Sequence, residues 1–220
     1  MSFQILRGPG LTDRSYSSFG LSGRPESRVV YGNPASAGFL GSVPPSRIGK
    51  FGGPEDTLKS MAAAALGKRG EQSPVVRRFT ESVVRDIHPK DYLGEILAIR
   101  NVLLQPSPTR GPTPLFKYMN DPRHVEWIKD PQRQVEEIEQ SGCAVVDCDE
   151  IACMAATMAL QLGREAEFVA LGFAPGQLTH VGARIKEPKS DAWIWVDAVA
   201  GPRERAAAAT AKEVLTYSLD

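Results

Sequence analysis

Three residues in the C-terminal half of the chain have the types and the order that a thiol enzyme requires. Cys148 begins an apolar, alanine-rich run, His180 begins a strand-like segment, and Asp197 lies near the end of the next such segment. In an antiparallel pair the start of one strand is level with the end of its neighbour, so His180 and Asp197 should lie side by side. A carboxylate there can orient the imidazole while its other nitrogen faces the thiol. The order of these residues therefore predicts a Cys-His-Asp triad.

The predicted position of Cys148, in the first turn of a helix, bears on its reactivity. Unpaired N–H groups and the helix dipole stabilise a thiolate at this end, which lowers the pKa of a cysteine. Asp149 and Glu150 in the same turn oppose the thiolate. A lowered pKa therefore needs a further cation, and His180 is the residue that can supply it.

Each candidate also has a purely structural interpretation. A cysteine on a helix is commonly a small core residue, and a single histidine on a strand is commonly a hydrogen-bonded core or surface group. Cys153 lies five residues after Cys148, and five helical residues rotate by about 500°, so Cys153 should face away into the core. The C-x₄-C-x₄-C spacing that begins at Cys143 is not a usual zinc pattern. We therefore expect no metal and no cofactor.

Helices precede the candidate triad, and strands follow the cysteine. Apolar residues at helical spacing, with proline at helix starts and glycine at helix ends, are typical of helices. They predict helices over about 54–67, 74–86 and 92–104, one that ends near Ser141, and a buried one of about 15 residues from Asp147. Three strand-like runs follow, EAEFVALGF, THVGARIK and AWIWVDAV. An antiparallel sheet packed on the cysteine helix is the economical arrangement, so the fold class is α+β.

The first 53 residues differ from the rest of the chain. They contain ten of the 20 glycines and five prolines, and residues 1–50 carry six basic and two acidic side chains. Such a segment cannot bury enough apolar surface to offset its ordering entropy. Its scattered aromatic and aliphatic residues favour an arm that becomes ordered on a partner, and a flexible tail is the alternative. We expect an extended arm over 1–53, a domain over 54–201 and a C-terminal helix over 202–220.

Composition and charge exclude several functional classes. The 220 residues, 42% of them hydrophobic, suffice for one sizeable core. The 26 basic and 26 acidic side chains cancel, which removes the usual argument for a nucleic-acid or anionic-membrane partner. No run approaches the roughly 18 apolar residues that cross a bilayer. Three clustered cysteines are not the disulfide framework of a secreted protein. We therefore expect a cytoplasmic protein with no nucleic-acid or membrane partner.

The run VVDCDEIACMAATMALQLGREAEFVALGF, followed by LTHVGARI and DAWIWVDAV, resembles the transglutaminase-like superfamily of papain-type thiol enzymes. The upstream segment FKYMNDPRHVEWIKDPQRQVEEIEQSG is similar to the approach to the cysteine in transglutaminase-like proteins of bacteriophage structural gene clusters. The resemblance covers residues 74–200. It implies a papain-like core, with Cys148 as nucleophile, His180 as general base and Asp197 as the orienting carboxylate.

This resemblance implies acyl transfer. Cys148 would attack a carboxamide or peptide carbonyl, and the acyl group would pass to water or to an amine, so peptidase, amidase and transglutaminase activities stay open. The Cys148 N–H would be one oxyanion donor, and the sequence leaves the second unassigned. Two positions depart from the family pattern: Val146 stands where glycine is usual, and Glu150 where a second aspartate is usual.

A second hypothesis is a virion structural or assembly protein that uses the fold as a binding module with an idle triad. The long glycine-rich arm favours it, because an isolated enzyme does not need such a segment. In either case the resemblance implies protein partners in a larger assembly, contacted through the arm, and a protein or peptide substrate. The expected location is then the host cytoplasm during assembly and afterwards the virion.

Overall fold

The computed structural model describes residues 4–5, 46–48, 53–104, 114–121, 126–174, 177–197 and 210–219. The helices in these ranges are α1 (Pro54–Leu66), α2 (Pro74–Val84), α3 (Tyr92–Leu104), α4 (Pro131–Ser141) and α5 (Cys148–Gln161). The strands are β1 (Gln4–Ile5), β2 (Ser46–Ile48), β3 (Phe116–Tyr118), β4 (Glu126–Ile128), β5 (Ala144–Val146), β6 (Ala166–Ala174), β7 (Gln177–Glu187), β8 (Ala192–Val196) and β9 (Glu213–Ser218). None of the helices in the described ranges has the length and apolar character needed to span a membrane.

Local sequence signals set the ends of the helices. Proline occupies the first turn of α1, α2 and α4, where its missing N–H has no intrahelical acceptor to lose. The side chains of Ser73 and Asp130 cap α2 and α4 by accepting the amides of Val76 and Arg133. Gly142 ends α4 with a φ of 86°, in the left-handed region that favours glycine. The five helices predicted between residue 54 and Gly163 therefore occur close to their expected positions.

The largest sheet is antiparallel and has the strand order β1-β9-β6-β7-β8. Strands β6, β7 and β8 follow one another along the chain and pair as neighbours. Helix α5 packs against β6 and β7. The predicted α+β class, with the cysteine helix packed on an antiparallel sheet, is confirmed.

The core lies between α5 and this sheet, with α1 and α3 packed on the same helix. Every residue from Asp149 to Ala159 is buried, and the many alanines among them allow neighbouring elements to approach closely. Cys153 is fully buried, and its sulfur lies 3.6 Å from the carbonyl oxygen of Met61. The prediction that Cys153 is a core residue is confirmed.

Two small sheets bring upstream segments to the start of α5. Strand β3 pairs in parallel with β5, with Tyr118 opposite Val146. The Met119 amide donates to the Val146 carbonyl at 2.8 Å and continues this pairing. Because β5 leads through Asp147 directly into α5, β3 lies beside the first turn of the cysteine helix. The other small sheet pairs β2 with β4 in antiparallel fashion.

The predicted C-terminal helix over 202–220 is wrong for Glu213–Ser218, which form strand β9 between β1 and β6. Leu215 and Tyr217 are buried and their neighbours are less so, which is the alternation of a strand with one face on the core. Pairing with β6 along the whole strand, and with β1 at Leu215 and Thr216, also satisfies backbone groups of this segment. The alanine-rich stretch over 201–209 lies outside the described residues.

The N-terminal arm contributes two short strands to the body, although its sequence shows no alternating pattern. Gln4–Ile5 pair with β9, and Ser46–Ile48 pair with β4. The remaining positions up to residue 52 lie outside the described residues. Ordering of the arm on a partner therefore stays a prediction. Helix α1 begins at Pro54, where the sequence places the start of the domain.

Candidate active site

A cleft of about 420 Å³ lies where α1, the start of α5 and β7 meet. Cys148 and His180 both line this cleft, together with Tyr118, Asp147 and Asp149. Aliphatic side chains from α1 and β7 complete its wall. The structure thus brings the predicted nucleophile and the predicted base, which are 32 residues apart in the chain, to one opening.

His180 is held by Asp197, as the antiparallel pairing of β7 and β8 allows. The Nε2 atom of His180 lies 2.7 Å and 2.8 Å from the two carboxylate oxygens of Asp197, which is only 5% exposed. An ionised carboxylate only accepts hydrogen bonds, so this contact assigns the ring proton to Nε2 and leaves Nδ1 as an acceptor. The Trp195 indole N–H also donates to Asp197, at 3.0 Å. The carboxylate is therefore fixed from two sides.

Gly182 provides the space for the Trp195 ring on the sheet. A Cβ atom at this position would meet the ring at 2.9 Å and the carbonyl oxygen of Val196 at 3.2 Å. Glycine therefore allows the indole to lie close to β7 and to reach Asp197. A larger residue would displace the tryptophan and remove one of the two contacts that fix the carboxylate.

Cys148 occupies the first helical position of α5, and a capping box fixes that end of the helix. The Asp147 side chain accepts the Asp149 amide at 3.1 Å, and the Glu150 side chain accepts the Asp147 amide at 2.9 Å. The thiol of Cys148 donates to a carboxylate oxygen of Asp149 at 3.3 Å. The Val181 amide on β7 donates to the Cys148 sulfur. Cys148 thus contacts the strand that carries His180.

The expected lowering of the Cys148 pKa is wrong. Burial raises the pKa of this thiol, and the carboxylates of Asp149 and Asp147 raise it further, whereas only the Val181 amide lowers it. The helix end favours a thiolate by a modest amount, but removal from water and two adjacent negative charges outweigh that gain. Cys148 is therefore a thiol in the resting protein.

Asp149→Asn should lower the pKa of the Cys148 thiol, because it removes a negative charge that the sulfur contacts. Iodoacetamide reacts with the thiolate, whose fraction at neutral pH rises about tenfold when the pKa of the thiol falls by one. Alkylation of Cys148 should therefore accelerate by about tenfold for a change of that size. The measurement is the alkylation rate against pH, resolved by residue. The control is Asp86→Asn, which removes an exposed carboxylate outside the cleft. An unchanged pH profile in Asp149→Asn would contradict this role.

Burial also raises the pKa of Glu150, to about 8. The Asp147 carboxylate adds to this effect, while Lys129 and the amide of Asp147 work against it. Glu150 also accepts the Lys129 amide at 3.2 Å, so its carboxyl joins two segments of backbone at the base of the site. Its protonation is therefore coupled to the stability of the fold.

Glu150→Gln should make stability less dependent on pH. The unfolded chain releases this proton near the ordinary pKa of 4.5, whereas the folded protein retains it up to about 8. Between these pH values the folded protein keeps the Glu150 proton and the unfolded chain does not. The free energy of unfolding therefore decreases as pH rises through this window. Urea unfolding measures the free energy of unfolding of both proteins across this window. As pH rises, the stability of the variant relative to the wild type should increase. Parallel pH profiles would contradict this coupling.

Asp147, Cys148 and Asp149 are the group in the described ranges with a potential metal-ligand arrangement. One donor atom of each lies within 4.8 Å of the others. The Asp147 side chain serves as a helix cap, and the thiol is hydrogen-bonded to Asp149. All three side chains are therefore engaged in hydrogen bonds within the protein.

The structure adds groups to the site that the sequence did not indicate. Trp195 supports the carboxylate, the Val181 amide contacts the sulfur, and Tyr118 reaches the cleft from β3. The alternation of side chains along β8 puts Trp195 on the same side of the strand as Trp193 but identifies no partner for it. No sequence pattern indicates that Tyr118 lies at the cleft, because its position depends on the pairing of two three-residue strands.

No protein-family profile matches the chain, and no curated protein matches it. Among solved structures, it is similar to a proposed protease from Parabacteroides distasonis, with a TM-score of 0.43 and 13% identity, over 63% of this chain and 26% of that one. The chain thus spans about a quarter of the length of that protein.

Proposed function

We propose that the protein is a papain-like, transglutaminase-like thiol acyltransferase or hydrolase with Cys148 as nucleophile, His180 as general base and Asp197 as orienting carboxylate. The observation that carries the proposal is the pair of contacts at 2.7 Å and 2.8 Å between His180 Nε2 and Asp197, beside the cleft that Cys148 also lines. Such a pair fixes the tautomer in which the second ring nitrogen can take a proton.

The reaction would proceed by general-base catalysis. As the Cys148 sulfur bonds to the carbonyl carbon, its proton passes to Nδ1 of His180, and the carbonyl electron pair moves onto oxygen. The C–N bond then breaks as that proton passes to the departing amine. Water or a second amine releases the acyl group by the reverse sequence. A base that acts during attack suits a thiol whose pKa is raised.

A protein or peptide substrate suits the surface beside the cleft. Tyr118, which lines the cleft, is 40% exposed. Large exposed apolar side chains at a cleft margin are typical of contacts with apolar side chains of a ligand. The choice between water and an amine as acyl acceptor depends on which of them reaches the thioester.

The proposal is tested with p-nitrophenyl acetate, which reports acylation as a burst of nitrophenolate. The wild type should show the burst, Cys148→Ala should lose it, and Cys143→Ala should retain it. Adding a primary amine then separates the two reactions: faster turnover with amide product indicates transfer, and no effect indicates hydrolysis. A burst that survives in Cys148→Ala would contradict the proposal.

The second candidate function is a virion assembly module with an idle triad. The raised pKa of Cys148 and the hydrogen bond of its thiol to Asp149 favour it, because both hold the nucleophile in its unreactive form. Association with a phage particle rests on the sequence resemblance alone. Absence of acylation in the wild type, with an intact fold, is the result that this candidate predicts.

The N-terminal arm is proposed to engage protein partners in such an assembly. Its basic excess suits an acidic surface, and its glycines allow it to follow an irregular one. Limited proteolysis of the free protein, followed by a thermal melt of the trimmed product, tests this. A body that melts like the whole chain supports a partner outside the body. A much lower melting temperature would show that β1 and β2 stabilise their own domain.

A further inference from the structure

The proposed reaction places a negative charge on the carbonyl oxygen, and the Cys148 amide supplies one hydrogen bond to it. This amide lies at the first helical position, where no intrahelical acceptor exists. We propose that the hydroxyl group of Tyr118 is the second donor to this oxyanion. The inference rests on the proposed function and assigns a catalytic residue that the sequence left open.

The fold places Tyr118 directly beside the nucleophile. Tyr118 is the last residue of β3 and lies opposite Val146, two residues before Cys148. The hydrogen bond of the next amide, from Met119 to the Val146 carbonyl at 2.8 Å, holds this end of β3 against β5. The Tyr118 side chain lines the same cleft as Cys148 and His180. A carbonyl attacked in this cleft therefore lies in the space that Tyr118 lines.

The chemistry of Tyr118 suits a donor. Burial raises the pKa of its phenol, and the nearby carboxylates of Asp147 and Asp149 raise it further. Because the phenol stays protonated, it can donate a hydrogen bond throughout the pH range of the reaction. The Asp147 and Asp149 carboxylates on the same cleft only accept, so they cannot stabilise an oxyanion. Tyr118 donates without losing its proton, and the proton balance between Cys148 and His180 is unchanged.

Asn120 and Thr179 are other potential donors on the cleft wall. Tyr118 is favoured because it belongs to β3, whose pairing with β5 leads directly to Cys148, whereas Asn120 follows the last paired residue of β3 and Thr179 lies on β7, which reaches Cys148 through the Val181 amide. Asn120→Ala is therefore the competing variant in the test. Tyr92→Phe is the matched control, because Tyr92 packs under Arg164 at 4.2 Å and does not line the cleft.

The test compares two reagents that act on the same sulfur. Acetylation by p-nitrophenyl acetate passes through an oxyanion, whereas alkylation by iodoacetamide displaces iodide and forms none. Tyr118→Phe should slow acetylation of Cys148 by about 100-fold, the lower end of the loss for one oxyanion donor, and leave alkylation within about twofold. Asn120→Ala and Tyr92→Phe should leave both rates close to those of the wild type. Thermal melts confirm that each variant is folded.

The outcomes separate this inference from the function on which it rests. Equal slowing of both reactions in Tyr118→Phe, or no slowing of either, would overturn the role of Tyr118 while wild-type acetylation upholds the proposed function. Selective slowing in Asn120→Ala instead would transfer the role to that residue and overturn the inference. A wild type that is alkylated but never acetylated would overturn the proposed function itself, and this inference with it.

Discussion

Asp197→Asn should leave the fold intact and reduce turnover by about 10⁴-fold, the cost of the corresponding change in serine triads. Asp197 accepts a hydrogen bond from His180 Nε2 and another from the Trp195 indole. An amide in its place presents an NH₂ group to one of these donors, which favours the tautomer with the proton on Nδ1. That proton would occupy the nitrogen that must accept from Cys148. The measurement is the burst rate with p-nitrophenyl acetate.

The control is Asp191→Asn, in the turn between β7 and β8. Asp191 has a φ of 60°, which asparagine tolerates well, and its carboxylate pairs with Lys186 away from the cleft. An unchanged burst rate in Asp197→Asn would remove Asp197 from the mechanism. Loss of cooperative unfolding would instead make it a structural residue.

Alanine substitutions along β9 should show a strand periodicity of two in their stability costs. Leu215→Ala and Tyr217→Ala each remove a side chain that is at most 7% exposed, so each should cost about 3 kcal/mol of unfolding free energy. Thr216→Ala and Ser218→Ala on the other face should each cost less than about 1 kcal/mol. Urea unfolding at equilibrium measures all four. Large losses of unfolding free energy at positions three or four residues apart would instead indicate a helix, and would contradict the assignment of this segment as a strand.

The sequence indicated the parts of the fold whose signals are local. In α5 a continuous run of small apolar residues ends near Gly163, and β6 to β8 are separated by turn sequences, so both were predicted. The two potential partners His180 and Asp197 followed from the level ends of an antiparallel pair. These inferences need only the chain order and the period of the side chains.

The parts that were missed depend on contacts between distant segments. Three-residue strands such as β3 and β5 carry no detectable period, so nothing in the sequence placed Tyr118 beside Cys148. In β9 the alanine-rich stretch that precedes Glu213 favoured a helix, whereas pairing with β6 and burial of Leu215 and Tyr217 decide for a strand. Tertiary packing outweighs intrinsic propensity at such positions.

The pKa of the Cys148 thiol is another property that the sequence alone does not predict. The helix start is visible in the sequence and predicts a lowered pKa, and the acidic neighbours are visible as well. The decisive factor is burial, which the sequence does not give, and which raises the pKa of the thiol together with Asp149 and Asp147. The reactivity of a cysteine therefore depends on how deeply it is buried as well as on its position along the helix.

The most direct test of the account is to locate the acetyl group after a short reaction with p-nitrophenyl acetate. The reaction is quenched in acid, which preserves thioesters, and the peptides that carry Cys143, Cys148 and Cys153 are separated by mass spectrometry. If Cys148 and His180 act together, Cys148 should be acetylated and the partly exposed Cys143 should not, and the adduct should be lost in His180→Ala. Acetylation of Cys143 in preference to Cys148, or an adduct on Cys148 that forms equally fast without His180, would contradict that joint action.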